Sequence, residues 1–391
     1  MSIGFADRIK NLTPSGIRRI NEKALALERK GVKVCHFELG RPDFDTPEYI
    51  KKTAVESLGN KDVFYTSNFG KPPLREEVAR YLSEKKKINV TAENILITVG
   101  LAEAIFDIFA ALLNPGDEVL VPDPVWMNYI NVPKLFGAVP VTYSLFESRG
   151  YQPDIRQIES VITDRTKAIV LVSPHNPTGS MPDKKVVEDI AAVAKKHDLI
   201  VISDEIYERL TYGDKEHVSI ASFPDMENRT FTLNGFSKAY SMTGWRIGYV
   251  AAPPEWIRTL NLIHQVNTTS AASFVQTAAI SALRDEGDEV EKMRGEYLKR
   301  RDFAVSRING IKGLSCRTPE GAFYIFVNMS GLGIDCVEFA VRLLEEFGVA
   351  TVPGTVFGNN GNGYIRMSFA SSMEELQRGL DILEKAAYQL H

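Results

Sequence analysis

The chain has 391 residues, of which 46 are basic and 50 acidic, for a formal net charge of −4. Neither half carries a long run of one sign, which argues against nucleic acid or an anionic membrane surface as a partner. The length suits a large α/β lobe with a smaller one attached.

The first twenty residues mix Arg8, Lys10, Arg18 and Arg19 with scattered apolar positions, unlike a signal peptide. No run elsewhere approaches the roughly 20 apolar residues of a membrane span. Cys35, Cys316 and Cys336 lie far apart with no CxxC or Cys/His metal spacing. The expectation is a cytoplasmic protein with reduced structural thiols and no metal site.

In chain order, residues 1–45 are expected to form an N-terminal arm and part of a small domain, with 23–40 packing against the C-terminal lobe. Short β-rich runs then recur at 95–99, 118–121, 139–143, 168–172, 200–203, 230–233 and 247–251. Several are apolar throughout, as strands covered on both faces are. Helical patterns such as 101–113 and 184–196 lie between them. The alternation predicts an α/β large domain over 46–285, with a mainly parallel seven-stranded sheet flanked by helices. Beyond it come a charged helix over 288–309, hairpin-like strands around 322–327 and 364–369, and a last helix from 372. These read as a smaller α+β domain over 286–391.

The turns after the strands carry the chemistry. The run 95–99 leads into Gly100, Leu101 and Ala102 at a helix start, whose free N–H groups and dipole form an anion site. Trp126, in PDPVWMNY, follows another strand end and can stack on a flat ring, although an aromatic there is commonly core. SPHNPTG, residues 173–179, brings the amide of Asn176; His175 reads as a packing or supporting residue. In VISDEIY, Asp204 ends an apolar strand, where ligands of open α/β sheets bind. A carboxylate there can cap the turn or pair with a protonated ring nitrogen. The strongest signal is NGFSKAYSMTGWRIGY, residues 234–249, with Ser237, Lys238 and Arg246. A lysine can form an imine with an aldehyde, while a hydroxyl and a guanidinium hold phosphate oxygens. Alone, a loop lysine is ordinarily a solvated surface charge.

In this order the segments GRPDFDTP (40–47), FYTSNFGKPPLR with Tyr65, NPTG, SDEIY, SKAYSMTGWRIGY, GAFYIF (321–326), VPGTVFG and YIRMSFA resemble the class I and II aminotransferases of the aspartate aminotransferase family, over nearly the whole chain. The resemblance implies the fold type I architecture of pyridoxal phosphate enzymes. It implies Lys238 as imine lysine and proton shuttle, Asp204 as partner of the pyridine nitrogen, and Asn176 and Tyr207 as partners of the phenolic oxygen. Ser237 and Arg246 would anchor the phosphate with the Gly100–Ala102 turn, and Tyr65 would reach it from the other subunit of a homodimer with shared active sites. Arg366 would clamp the substrate α-carboxylate, with Gly40, Trp126 and Asn176 lining the same pocket, and Asn267 would approach the neighbouring site. The reaction implied moves an amino group from an L-amino acid to a 2-oxo acid, commonly 2-oxoglutarate, with ping-pong kinetics.

Two departures bear on the donor. Ala102 stands where related bacterial aspartate enzymes have a lysine for the distal carboxylate, and Arg41 follows Gly40 where glutamate is common. Arg41 is expected in a surface salt bridge, with Leu101 and Ala102 leaving room for apolar or aromatic groups. A carbon–sulfur β-lyase or a synthase acting on an activated methionine derivative would need Lys238 and Asp204 equally. A non-catalytic relative would not need Lys238, Asp204, Arg246 and Arg366 together.

Overall fold

Seven strands form one sheet in a computed structural model that describes residues 4–284 and 288–390. Across the sheet they run Ile95–Thr98, Gly248–Ala251, Thr230–Gly235, Ile200–Asp204, Thr166–Val172, Glu118–Asp123 and Val139–Ser144. Gly248–Ala251 is antiparallel to both neighbours, and every other adjacent pair is parallel. All seven expected runs are therefore strands, and the mainly parallel sheet is as the alternation requires. The central strands are buried on both faces, whereas the edge strand Val139–Ser144 leaves Val139 and Thr142 exposed.

Strand direction positions the site. The carboxyl ends of Ile95–Thr98, Glu118–Asp123, Thr166–Val172, Ile200–Asp204 and Thr230–Gly235 emerge on one side of the sheet. The antiparallel strand Gly248–Ala251 starts on that side, so Arg246 joins the loops that carry Gly100, Trp126, Asn176 and Lys238.

The helix Leu101–Leu112 buries Leu101, Ala104, Ile105, Ile108 and Phe109, the one-face spacing of an amphipathic helix. Each fully buried large side chain contributes about 1.5–3 kcal/mol. Its start lies close to the sheet because Gly235 pairs with Gly248. A Cβ on either glycine would meet Leu101 Cδ1, at 3.2 and 2.8 Å. Further along, Phe109 lies edge-on to Tyr129 with ring centroids 6.5 Å apart.

In the C-terminal part, Tyr364–Ser368 lies between Val352–Pro353 and Tyr324–Asn328, antiparallel to both. The expected hairpin is corrected here: the two longer strands do pair, but the helix Cys336–Phe347 intervenes between them in the chain. That helix starts under its own cap, Asp335, which accepts from Val337 and Glu338 N–H groups. The helix Asp288–Gly310 is formed as expected, and the last helix, Met373–Gln389, is capped by Ser372.

The N-terminal segment joins this region through a parallel pair, Cys35–His36 with Val349–Ala350. Phe37 continues the contact, donating to Ala350 O at 3.0 Å and accepting from Ser368 N at 2.8 Å. Residues 38–40 are thereby delivered to the site. The division expected at 285–286 lies outside the described residues. No helix among the described residues is long and apolar enough to cross a membrane.

Candidate active site

Lys238 lies in the loop after Thr230–Gly235, and its Nζ donates to the Gly40 carbonyl at 2.5 Å. The rings of Tyr207 and Phe323 flank the amine, each with its centroid 5.7 Å away. Burial pushes the Lys238 ammonium down to about 8, assisted by Arg366 and more weakly by Arg246, while Asp204 opposes the shift. A neutral amine is therefore accessible near physiological pH.

Asp204 is 3% exposed at the end of Ile200–Asp204. Its Oδ2 accepts from the Tyr129 hydroxyl at 2.7 Å, and its Oδ1 accepts from Ile206 N–H at 3.2 Å. The turn-capping role and an inward-facing carboxylate thus coexist. Burial raises the carboxyl above its usual range, against those two hydrogen bonds and the charge of Lys238. A nearby cation would relieve that cost.

Arg366, in the middle of Tyr364–Ser368, is 1% exposed. Its Nη1 donates to Asn176 Oδ1 at 3.1 Å and its Nη2 to Glu38 O at 2.5 Å. The guanidinium lies 4.4 Å from the Tyr324 ring centroid and 4.8 Å from that of Phe357. Its Nε is buried without a hydrogen-bond partner, and among the described residues it has no carboxylate within ion-pair distance. A buried guanidinium so placed is a receptor for a carboxylate. Glu38 is itself held by Asn21 and His36, each at 2.9 Å.

Arg246 is exposed, at a left-handed φ of 56° just before Gly248–Ala251. It donates to Thr243 O at 3.2 Å and Val99 O at 3.4 Å. A Cβ on Gly100, whose φ is +75°, would fall 2.6 Å from Arg246 Nη2. The guanidinium therefore overhangs the uncapped start of Leu101–Leu112, and amides and cation together make an anion cradle. Ser237 is half-buried beside Lys238.

Other expectations fared unevenly. The Leu101 side chain is buried and turns onto Gly235 and Gly248. Only Ala102 is exposed there. Arg41 forms no ion pair among the described residues, so the expected salt bridge is absent. The Tyr207 hydroxyl lies 2.8 Å from that of Tyr324. Trp126 is half-buried and edge-on to Tyr129 at 6.2 Å. Tyr65 is 90% exposed. Asn267 donates to Asp107 Oδ1 at 3.1 Å. His175 supports the NPTG turn, 2.8 Å from Thr178 Oγ1, and burial holds its imidazole neutral, down to about 3.

Three residues of the site escape sequence reasoning. Tyr129 sits in PDPVWMNY and Tyr324 in GAFYIF, strings that attract notice for other reasons. Glu38 acts at the site through its carbonyl, which no side-chain motif reveals.

The family model for aminotransferase class I and II matches residues 32–383. The probable aspartate/prephenate aminotransferase of Aquifex aeolicus (strain VF5) is 40% identical over the full length of both chains. The aspartate aminotransferase of Pyrococcus abyssi is 41% identical over 98% of each. Among solved structures, the aspartate aminotransferase from Thermus thermophilus with maleate superposes with a TM-score of 0.94 at 39% identity, covering 98% of this chain and 99% of that one. The alanine aminotransferase from Pyrococcus furiosus gives 0.94 at 34% identity, over 99% and 100%.

Proposed function

Because the chain belongs to the class I and II aminotransferases and is a transaminase, we propose that it transfers amino groups at Lys238, with pyridoxal 5′-phosphate as its cofactor. The observation that carries this reading is a shared segment, residues 38–40, that follows the strand Cys35–His36. Lys238 Nζ donates to Gly40 O and Arg366 Nη2 to Glu38 O, each at 2.5 Å. An amine of lowered basicity thus stands beside a buried receptor for a carboxylate, as an α-amino acid requires.

The residues present fit the cofactor's groups. The Gly100, Leu101 and Ala102 turn with Ser237 and Arg246 would take the phosphate, and a Cβ at Gly100 would close that space. Asp204, raised by burial, would pair with the ring nitrogen, and Tyr129 holds it in place. Asn176 and Tyr207 would donate to the phenolic oxygen, and Trp126 would face the ring. When bound, the cofactor supplies an electron-withdrawing ring that stabilises negative charge at the substrate Cα.

Arg366 orients the substrate by its carboxylate, with Asn176 steadying the guanidinium and Gly40 admitting the Tyr324 hydroxyl where a Cβ would stand. Lys238 Nζ, its ammonium lowered by burial to about 8, takes the Cα proton in its neutral form and returns it on the other side of the transferred nitrogen. The donor is an L-amino acid and the acceptor a 2-oxo acid, with 2-oxoglutarate proposed for the latter. Relatives are named for aspartate and prephenate and for alanine. Exposed Ala102 and unpaired Arg41 are the side chains best placed to decide among such donors.

A homodimer with shared sites is supported by apolar side chains left on the surface, among them Phe64, Tyr65 and Val266 at 75%, 90% and 79% exposure. A cytoplasmic location is supported by three buried free thiols. The test is borohydride reduction of the purified holoenzyme followed by peptide mapping. The cofactor mass should appear on Lys238, and its appearance on another lysine would overturn the assignment.

A further inference from the structure

Behind the anion cradle lies a cluster that the reaction above does not use. Glu103 and Asp107 stand one turn apart on the helix Leu101–Leu112, and His264 faces them from the helix Pro254–Asn267. His264 Nδ1 is 3.0 Å from Glu103 Oε1 and 3.7 Å from Asp107 Oδ2. The three side chains are 0%, 7% and 1% exposed for His264, Glu103 and Asp107 respectively. One ligand atom from each lies within 4.8 Å of the others.

Each carboxylate has one oxygen already fixed. Glu103 Oε2 accepts from Val99 N–H, and Asp107 Oδ1 accepts from Asn267 Nδ2 at 3.1 Å. The remaining oxygens turn towards the imidazole, and among the described residues buried Asp107 Oδ2 has no hydrogen-bond partner. Second oxygens tied down by outside donors are what ligating carboxylates display. Among the described residues neither carboxylate has a lysine or arginine partner. With a neutral imidazole the cluster holds two buried negative charges, and with an imidazolium still one. That surplus sits one helical turn from a place that must accept an anion.

We propose that Glu103 Oε1, Asp107 Oδ2 and His264 Nδ1 form a binding site for one divalent cation of the zinc, cobalt or manganese class. One imidazole and two carboxylates are a borderline nitrogen and oxygen set that such ions accept. The ion neutralises both carboxylates and ties the cradle helix to the helix that ends at Asn267.

Ion binding requires Nδ1 without a proton, so affinity falls at low pH.

The experiment uses holoenzyme passed over a chelating resin and dialysed against Zn²⁺, Mn²⁺ or Co²⁺ separately, with metal content read by elemental analysis. The expected result is one ion per chain for at least one of the three, with a raised Tm. Asp107→Asn and His264→Gln, checked for fold by circular dichroism, should bind at least tenfold more weakly. Absence of stoichiometric uptake by the wild-type enzyme overturns the proposal and leaves the cluster as an ion-paired triad. Undiminished uptake by both folded variants overturns it equally. If the variants fail to fold, the wild-type stoichiometry decides alone.

Discussion

Two arginines bracket Lys238, and they are built in opposite ways. Arg366 is 1% exposed, lies between the rings of Tyr324 and Phe357, and is gripped by Asn176 and the Glu38 carbonyl. Arg246 is exposed, and among the described residues its hydrogen bonds go to the carbonyls of Thr243 and Val99, at 3.2 and 3.4 Å. Neither has a carboxylate partner among the described residues. The desolvation of Arg366 is complete before a ligand arrives, so a carboxylate meets a rigid donor pair in low dielectric. Arg246 remains screened by water, and its anion site draws additional strength from the amides of the helix start at Leu101. The buried end is suited to discriminate and orient. The exposed end is suited to hold.

The largest effect should come from the residue between the two ends. Lys238→Ala is expected to lower single-turnover transamination by about four orders of magnitude, the upper range for a positioned base. Cofactor and substrate binding, governed by the two arginines, should change far less. Stopped-flow half-reactions and fluorescence titrations measure these separately, and unimpaired turnover would dismantle the proposed roles.

The contrast between the arginines predicts the next two effects in order. Arg366→Lys breaks a buried planar donor pair, so kcat/KM should fall about 100-fold for every α-amino acid donor tried, the equivalent of about 3 kcal/mol. Arg246→Ala removes a screened contact, so the cofactor dissociation constant should rise about tenfold, near 1.4 kcal/mol, at the low end for hydrogen bonds to charged groups. Equal losses at the two positions would show that burial is not what separates them.

The scaffold was legible because its signal is local. Seven apolar runs separated by helical patterns specify a covered, mainly parallel sheet, and the turns after those runs carry Gly100, Trp126, Asn176, Asp204 and Lys238. What could not be read were contacts made by backbone atoms or across distant segments. Glu38 and Gly40 enter the site through carbonyls, delivered by the pairing of Cys35–His36 with Val349–Ala350, more than three hundred residues apart. Leu101 reads as a candidate lining side chain until the Gly235 and Gly248 pair offers it a better seat. Tyr129 is a buried core residue that also ends in a hydroxyl on Asp204, a contact across distant segments that no local motif marks. The buried Glu103, Asp107 and His264 group combines residues separated by about 160 positions, beyond any spacing motif.

The smallest effect is also the finest test of the comparison. After burial, Arg366 is the stronger of the two arginines in lowering the Lys238 amine to about 8, and Arg246 the weaker. A guanidinium repels the ammonium form, so removing either charge favours protonation and moves the titration upwards. The rate at which cofactor-free enzyme reacts with pyridoxal phosphate depends on the neutral amine, so for the wild type it should rise with pH through a midpoint near 8. Arg366→Gln should move that midpoint to higher pH by a readable fraction of a unit, and Arg246→Gln by less. Reading the midpoint at saturating reagent keeps weakened phosphate binding in Arg246→Gln out of the result. A larger shift in Arg246→Gln would mean that the exposed arginine, and not the buried one, sets the field at the amine.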